Sequence, residues 1–145
     1  MKQVDSKGLR TVLLLAGAFI TFTGVNIAFG GITTLGLQGP NDFLQVTDPA
    51  AYALQDSHVR FLGGLWLGIG LLFLAATRYL LQLAEALKLA FVLIFVGGVA
   101  RLTMMQPDVT FGPDIGPSLA AELIGMPILL IWLSRASRKH ADQQT

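Results

Sequence analysis

Within a largely apolar chain, the side chains with chemistry to offer are Asn26, Asp56, His58, Arg60, Arg101 and Glu122. At ~1.5 Å of helix per residue, Asn26, Arg101 and Glu122 fall about 6–9 Å beneath the outer end of their apolar stretches, with Arg60 close to that end. A charge at the centre of a bilayer costs roughly 2.5–3.5 kcal/mol and less near the interface, so these groups should turn inward. Glu122 can neutralise one arginine, and Asp56, one helical turn before Arg60, can reach the other. Three arrangements fit. In one, Arg60, Arg101, Glu122, Asn26 and His58 line an outward-facing polar pocket whose guanidinium groups grip an anionic or carbonyl oxygen of a small or lipid-like ligand. In another, Arg101 and Glu122 form a clasp between helices three and four while Arg60 snorkels to the surface. In the last, the charges meet partners on another subunit. Asp56-Ser57-His58 has the residue types of a proton relay, but adjacency along the chain does not supply triad geometry. A capping or solvated role is expected for these three, and no catalytic residue is assigned.

Four elements must position these groups. Apolar stretches at about 11–32, 59–77, 84–105 and 118–133 have the length of membrane-spanning helices, separated by outer loops at 33–58 and 106–117 and a short polar turn around Arg78 and Tyr79. The first stretch follows a basic lead, as in a secretory signal, and Ala16-Gly17-Ala18 offers small residues. Its apolar run exceeds the ~7–15 residues of a signal core, so it is expected to be retained as a span. The first loop carries a turn signal at Gly39-Pro40-Asn41-Asp42 and a helix start at Thr47-Asp48-Pro49, predicting a helix from Pro49 that runs into the second span. In the second loop, from Gln106 to Pro117, prolines and glycines must break the helix, and Pro127 predicts a kink in the fourth span.

The second span has an arginine at its mouth and glycines along one side. At ~100° per residue, Gly63, Gly64, Gly68 and Gly70 lie within about a quarter turn of Arg60, while Trp66 and Phe73 point away. The glycine face is expected to meet another helix, and the aromatic face lipid or a looser packing partner. Gly97 and Gly98, sharing a face with Arg101 on the third span, are assigned the same packing role.

Lys2, Lys7, Arg10, Arg78, Lys88, Arg135, Arg138 and Lys139 fall on the side of the termini, whereas the outer loops hold five aspartates. The positive-inside rule makes both termini cytoplasmic, with Tyr79 and Trp132 at the cytoplasmic interface. The expected fold is all-α: a single polytopic membrane domain over 1–145, built as an antiparallel four-helix transmembrane bundle.

Composition agrees. Of 145 residues, 53% are hydrophobic and only 13% charged, far from a soluble average. A net charge of +1 gives no footprint for nucleic acid. Without cysteine and with only two histidines, the chain offers no thiolate chemistry and no multi-histidine metal or haem site. Neither a P-loop nor a dinucleotide-binding glycine pattern occurs, and no cofactor is expected.

RFLGGLWLGIGLL from Arg60, GGVARL from Gly97 and Glu122 within AAELIGMP resemble the bacterial four-helix membrane proteins of the domain-of-unknown-function 4345 family, over roughly Leu9 to Leu133. The resemblance implies a multi-pass protein of a bacterial inner membrane and carries no activity. The reading that follows is a non-enzymatic accessory or interaction protein, in contact with membrane lipid and either homo-oligomeric or part of a larger membrane complex. Its rivals are a small transporter or channel subunit and a membrane enzyme acting on a hydrophobic substrate.

Overall fold

The structure, a computed structural model, describes residues 4–37 and 45–141. The expected turn at Gly39-Pro40-Asn41-Asp42 and the leading Lys2 lie outside these residues. All regular structure among the described residues is helical: α1 (Val4–Gly30), a 3₁₀ segment (Gly31–Leu37), α2 (Pro49–Ala76), α3 (Ala84–Arg101), a 3₁₀ turn (Leu102–Met104), α4 (Pro107–Thr110), α5 (Gly116–Ala120), a π-helical turn (Ala121–Gly125) and α6 (Met126–Ala141). Among the described residues, four helical stretches are long and apolar enough to cross a membrane: Lys7–Thr34, Pro49–Ala76, Ala84–Met104 and Gly116–Arg138. The protein is an all-α, multi-pass membrane protein.

The chain folds as two compact units. One spans Thr11–Arg78; the other joins Met1–Arg10 to Tyr79–Thr145.

In the first unit α1 and α2 run antiparallel, and glycine sets their separation. A Cβ on Gly24 would lie 2.6 Å from the backbone of Leu67, one on Gly63 would lie 2.4 Å from the nitrogen of Ala28, and one on Gly70 would lie 2.6 Å from that of Thr21. Close approach of this kind supplies dispersion contact where lipid provides no hydrophobic drive. The indole of Trp66 donates to the hydroxyl of Thr23 at 3.0 Å, satisfying a polar atom that hydrocarbon cannot. Helix α2 begins where Asp48 accepts from the backbone nitrogens of Ala50 (2.9 Å) and Ala51 (3.1 Å), with Pro49 in the first turn, and it continues without a break into the span.

In the second unit α3 lies antiparallel against the π turn and α6. Its buried positions, Leu87, Phe91, Ile94 and Gly98, recur at helical spacing, as do the buried Glu122, Met126, Leu129 and Leu133 of the facing stretch. The start of α1 joins this unit, where a Cβ on Gly8 would lie 3.2 Å from the ring of Trp132. The kink expected at Pro127 takes the form of the π turn just before it. Proline has no N–H for the carbonyl of Leu123 and its ring collides with that oxygen, so the helix widens. The N–H of Met126 instead reaches back five residues to the carbonyl of Ala121.

One face assignment is corrected. The aromatic face of α2, expected to meet lipid or a looser packing partner, instead packs closely on α1: Phe73 is 0% exposed. It lies against Gly17, whose added Cβ would sit 3.0 Å from the Cβ of Phe73. The arc of α2 that meets α1 is rotated from the all-glycine face and takes in Gly63, Trp66, Leu67, Gly70, Phe73 and Leu74. Two long aromatic side chains and the gaps left by glycines interdigitate better than a uniformly smooth face does.

Candidate functional site

The polar groups fall into two sets, one in each unit, and they differ in what they leave available.

In the first unit the set forms around a helix end. Gly31 has φ of +69°, the left-handed conformation that terminates α1. A Cβ there would lie 2.0 Å from Oδ1 of Asp56, so glycine is required twice over. That same Oδ1 accepts from the backbone N–H of Ile32 at 2.8 Å, while Oδ2 accepts from Nε of Arg60 at 2.6 Å. The guanidinium then donates through Nη1 to the carbonyl of Phe29 and, at 3.4 Å, through Nη2 to that of Gly30. Threonines add to this: Thr33 also donates to the carbonyl of Gly30, and Thr34 donates to that of Asn26 at 2.7 Å. A cation against the negative end of the helix dipole, braced by a carboxylate on the adjoining N–H, closes an end whose carbonyls would otherwise be unsatisfied in lipid. Arg60 therefore caps α1 instead of snorkelling.

The remaining members of this set point elsewhere. Asn26 donates its side-chain amide to Phe22 of its own helix at 2.8 Å. His58 is exposed. Two residues of helix rotate it by about 200° from Asp56, so a carboxylate engaged on α1 cannot orient that imidazole. Asp56-Ser57-His58 has no triad geometry.

In the second unit, Arg101 closes α3 and Glu122 projects from the π turn. Nε donates to Oε2 at 2.8 Å and Nη2 to Oε1 at 3.1 Å, a bidentate fork. Gly98, one turn before Arg101, lets the two helices approach: a Cβ there would lie 2.8 Å from that of Glu122. The π turn, Gly98 and the ion pair thus form one device. The carboxylate side chain is 12% exposed and the arginine 44%. The fork occupies one edge of the guanidinium, and that edge is fixed while the rest of a half-exposed planar cation retains further N–H donors.

The glycines divide likewise. Gly63 and Gly98 sit at close helix contacts, whereas a Cβ on Gly64, Gly68 or Gly97 would meet nothing within 4 Å. Gly64 and Gly68 lie on the opposite flank of Arg60 from Gly63 and Gly70, which places them off the α1 contact. The residues that reading the chain overlooked are Gly17, Gly24 and Gly31. Gly30-Gly31 at the close of an apolar run is a recognisable helix stop, and Gly17 and Gly24 are two helical turns apart.

Among the described residues no group of three His, Asp or Glu side chains is placed to hold a metal ion. What these features define is a class: a small multi-pass membrane protein whose helix pairs are fastened by glycine contacts and by charged side chains, bonded to helix-end backbone in one unit and paired across the helices in the other. The chain belongs to the family described as a domain of unknown function, DUF4345, whose model matches residues 8–133. No curated protein and no solved structure matches it.

Proposed function

We propose that this protein is a non-enzymatic interaction protein of a bacterial inner membrane, with both termini cytoplasmic, and that it holds an anionic, lipid-like ligand at Arg101. The supporting observation is the asymmetry of the Arg101–Glu122 fork, in which a nearly buried carboxylate orients a guanidinium that is 44% exposed. An arginine held rigidly by one edge offers its remaining donors to a phosphate or carboxylate with little further loss of side-chain entropy. Arg60 has less to offer, because three of its five N–H donors are engaged with Asp56, Phe29 and Gly30, and those bonds tie it to the end of α1. The ligand role therefore falls to Arg101, with Glu122 as its positioning partner, and Asp56 and Arg60 serve the end of α1.

Native mass spectrometry of the full chain released from mild detergents tests this reading. An anionic amphiphile should be retained by the protein and lost from the double variant R101Q/E122Q, which removes both charges together and strands neither. Protein recovered free of any such ligand across several detergents would overturn it.

A further inference from the structure

Lipid tails fill apolar surface as well as protein does, so the open groove between α3 and α6, walled by Phe95 and Pro127 among others, selects no partner. A polar group set in such a surface does. Asn26 stands about two turns inside the end of its candidate span, Lys7–Thr34, on a helix that runs unbroken from Val4 to Gly30.

The inner side of α1 is marked by the buried Leu13, Gly17, Ile20 and Gly24. At ~100° per residue, Asn26 lies about 150° around the helix from the centre of that arc, on the open side. Leu15, Phe19, Phe22 and Phe29 share this side with it, all five within an arc of about 80°. The four apolar members are between 57% and 74% exposed. Their spacing alternates four and three residues, the pattern of a coiled-coil seam, and it puts Asn26 at an a position, where a single asparagine fixes register and the number of strands.

Asn26 is half-buried and gives one amide proton to the carbonyl of Phe22 at 2.8 Å. Among the described residues its second N–H and its Oδ1 have no partner. Hydrocarbon satisfies neither. A carboxamide with one donor and one acceptor to spare is complementary to itself. Copies of one chain cross the bilayer in the same direction, so two α1 helices meeting on this side run parallel and bring Asn26 to Asn26 at one depth, across a two-fold axis.

We propose that this side of α1 is the interface of a parallel homodimer. The two Asn26 side chains exchange hydrogen bonds and set the register, and Leu15, Phe19, Phe22 and Phe29 interdigitate above and below them. The proposal stands apart from the ligand role of Arg101.

The test uses the full chain in phosphatidylcholine bilayers at graded protein-to-lipid ratios, with association read as energy transfer between copies labelled at the amino terminus. Wild type should dimerise as the ratio rises. Asn26→Leu should raise the dissociation constant about tenfold, the usual worth of a hydrogen bond between membrane helices, without harm to the fold, since the side chain bonds only to its own helix. The chain has no cysteine, so single cysteines report contact directly. Under oxidation Leu15→Cys, at the centre of the seam, should give a disulfide-linked dimer. Leu14→Cys, also exposed but about 100° away, should not. Protein that stays monomeric at every ratio overturns the proposal. So does association that Asn26→Leu leaves unchanged, or equal cross-linking through positions 14 and 15, either of which puts the contact on another face.

Discussion

Gly31 and Glu122 show how much a single position can decide. At Gly31 the backbone is left-handed and the space for a Cβ is filled by the Asp56 carboxylate. Gly31→Ala should cost at least about 1–2 kcal/mol, the usual penalty for an L-residue in that conformation, and should lower the melting temperature in detergent. Glu122→Gln should also melt early, by about 1–2 kcal/mol, because it removes the counter-charge from Arg101. The loss is smaller than for a fully buried pair, since the arginine is 44% exposed. R101Q/E122Q should recover part of that loss, and a double variant as unstable as the sum of its parts would show that the two residues do not stabilise each other. The pairing of Arg101 with Glu122 was legible from the cost of charge in hydrocarbon. The task of Arg60 was not, because its partners are backbone carbonyls, which every residue carries and no residue type announces.

Between elements, stability depends on how closely helices approach. Gly24 and Gly63 sit where α1 and α2 touch backbone to backbone, so Gly24→Ala or Gly63→Ala should force them apart and cost about 1–3 kcal/mol, read as a lower melting temperature. Gly64→Ala, one residue along, meets open space and should leave the melting temperature unchanged or raise it, since alanine favours helix by up to about 1 kcal/mol. Equal losses at Gly63 and Gly64 would mean that the contact arc of α2 is not the one described. That arc was only partly readable from the chain. Small residues at i and i+4 announce a helix contact, but the centre of the contact depends on which partner side chains fill the gaps. Here Phe73 and Trp66 fill them, rotating the interface toward the aromatic face that helical spacing assigns to lipid or a looser packing partner.

For the whole molecule, the lysines and arginines gather at the ends of the chain and at the short turn near Arg78, so the proposed orientation has both termini in the cytoplasm. A reporter that is active only in the cytoplasm should work when fused to either end. A reporter active at one end alone would contradict four crossings, and inactivity at both would invert the orientation. In the proposed orientation Arg101, near the end of its candidate span, belongs to the outer side, and the proposed ligand would come from the outer leaflet.

Four long apolar helices, the helix start at Asp48 and a break before Pro127 follow from hydropathy, capping chemistry and the missing proline N–H, each a property of residues near one another in the chain. Tertiary structure alone decided that Arg60 closes the end of α1, that a π turn brings Glu122 to Arg101, and that an apolar groove forms between α3 and α6. These outcomes depend on carbonyls, contours and close approaches contributed by segments distant in sequence, and only folding brings those segments within hydrogen-bonding or van der Waals reach.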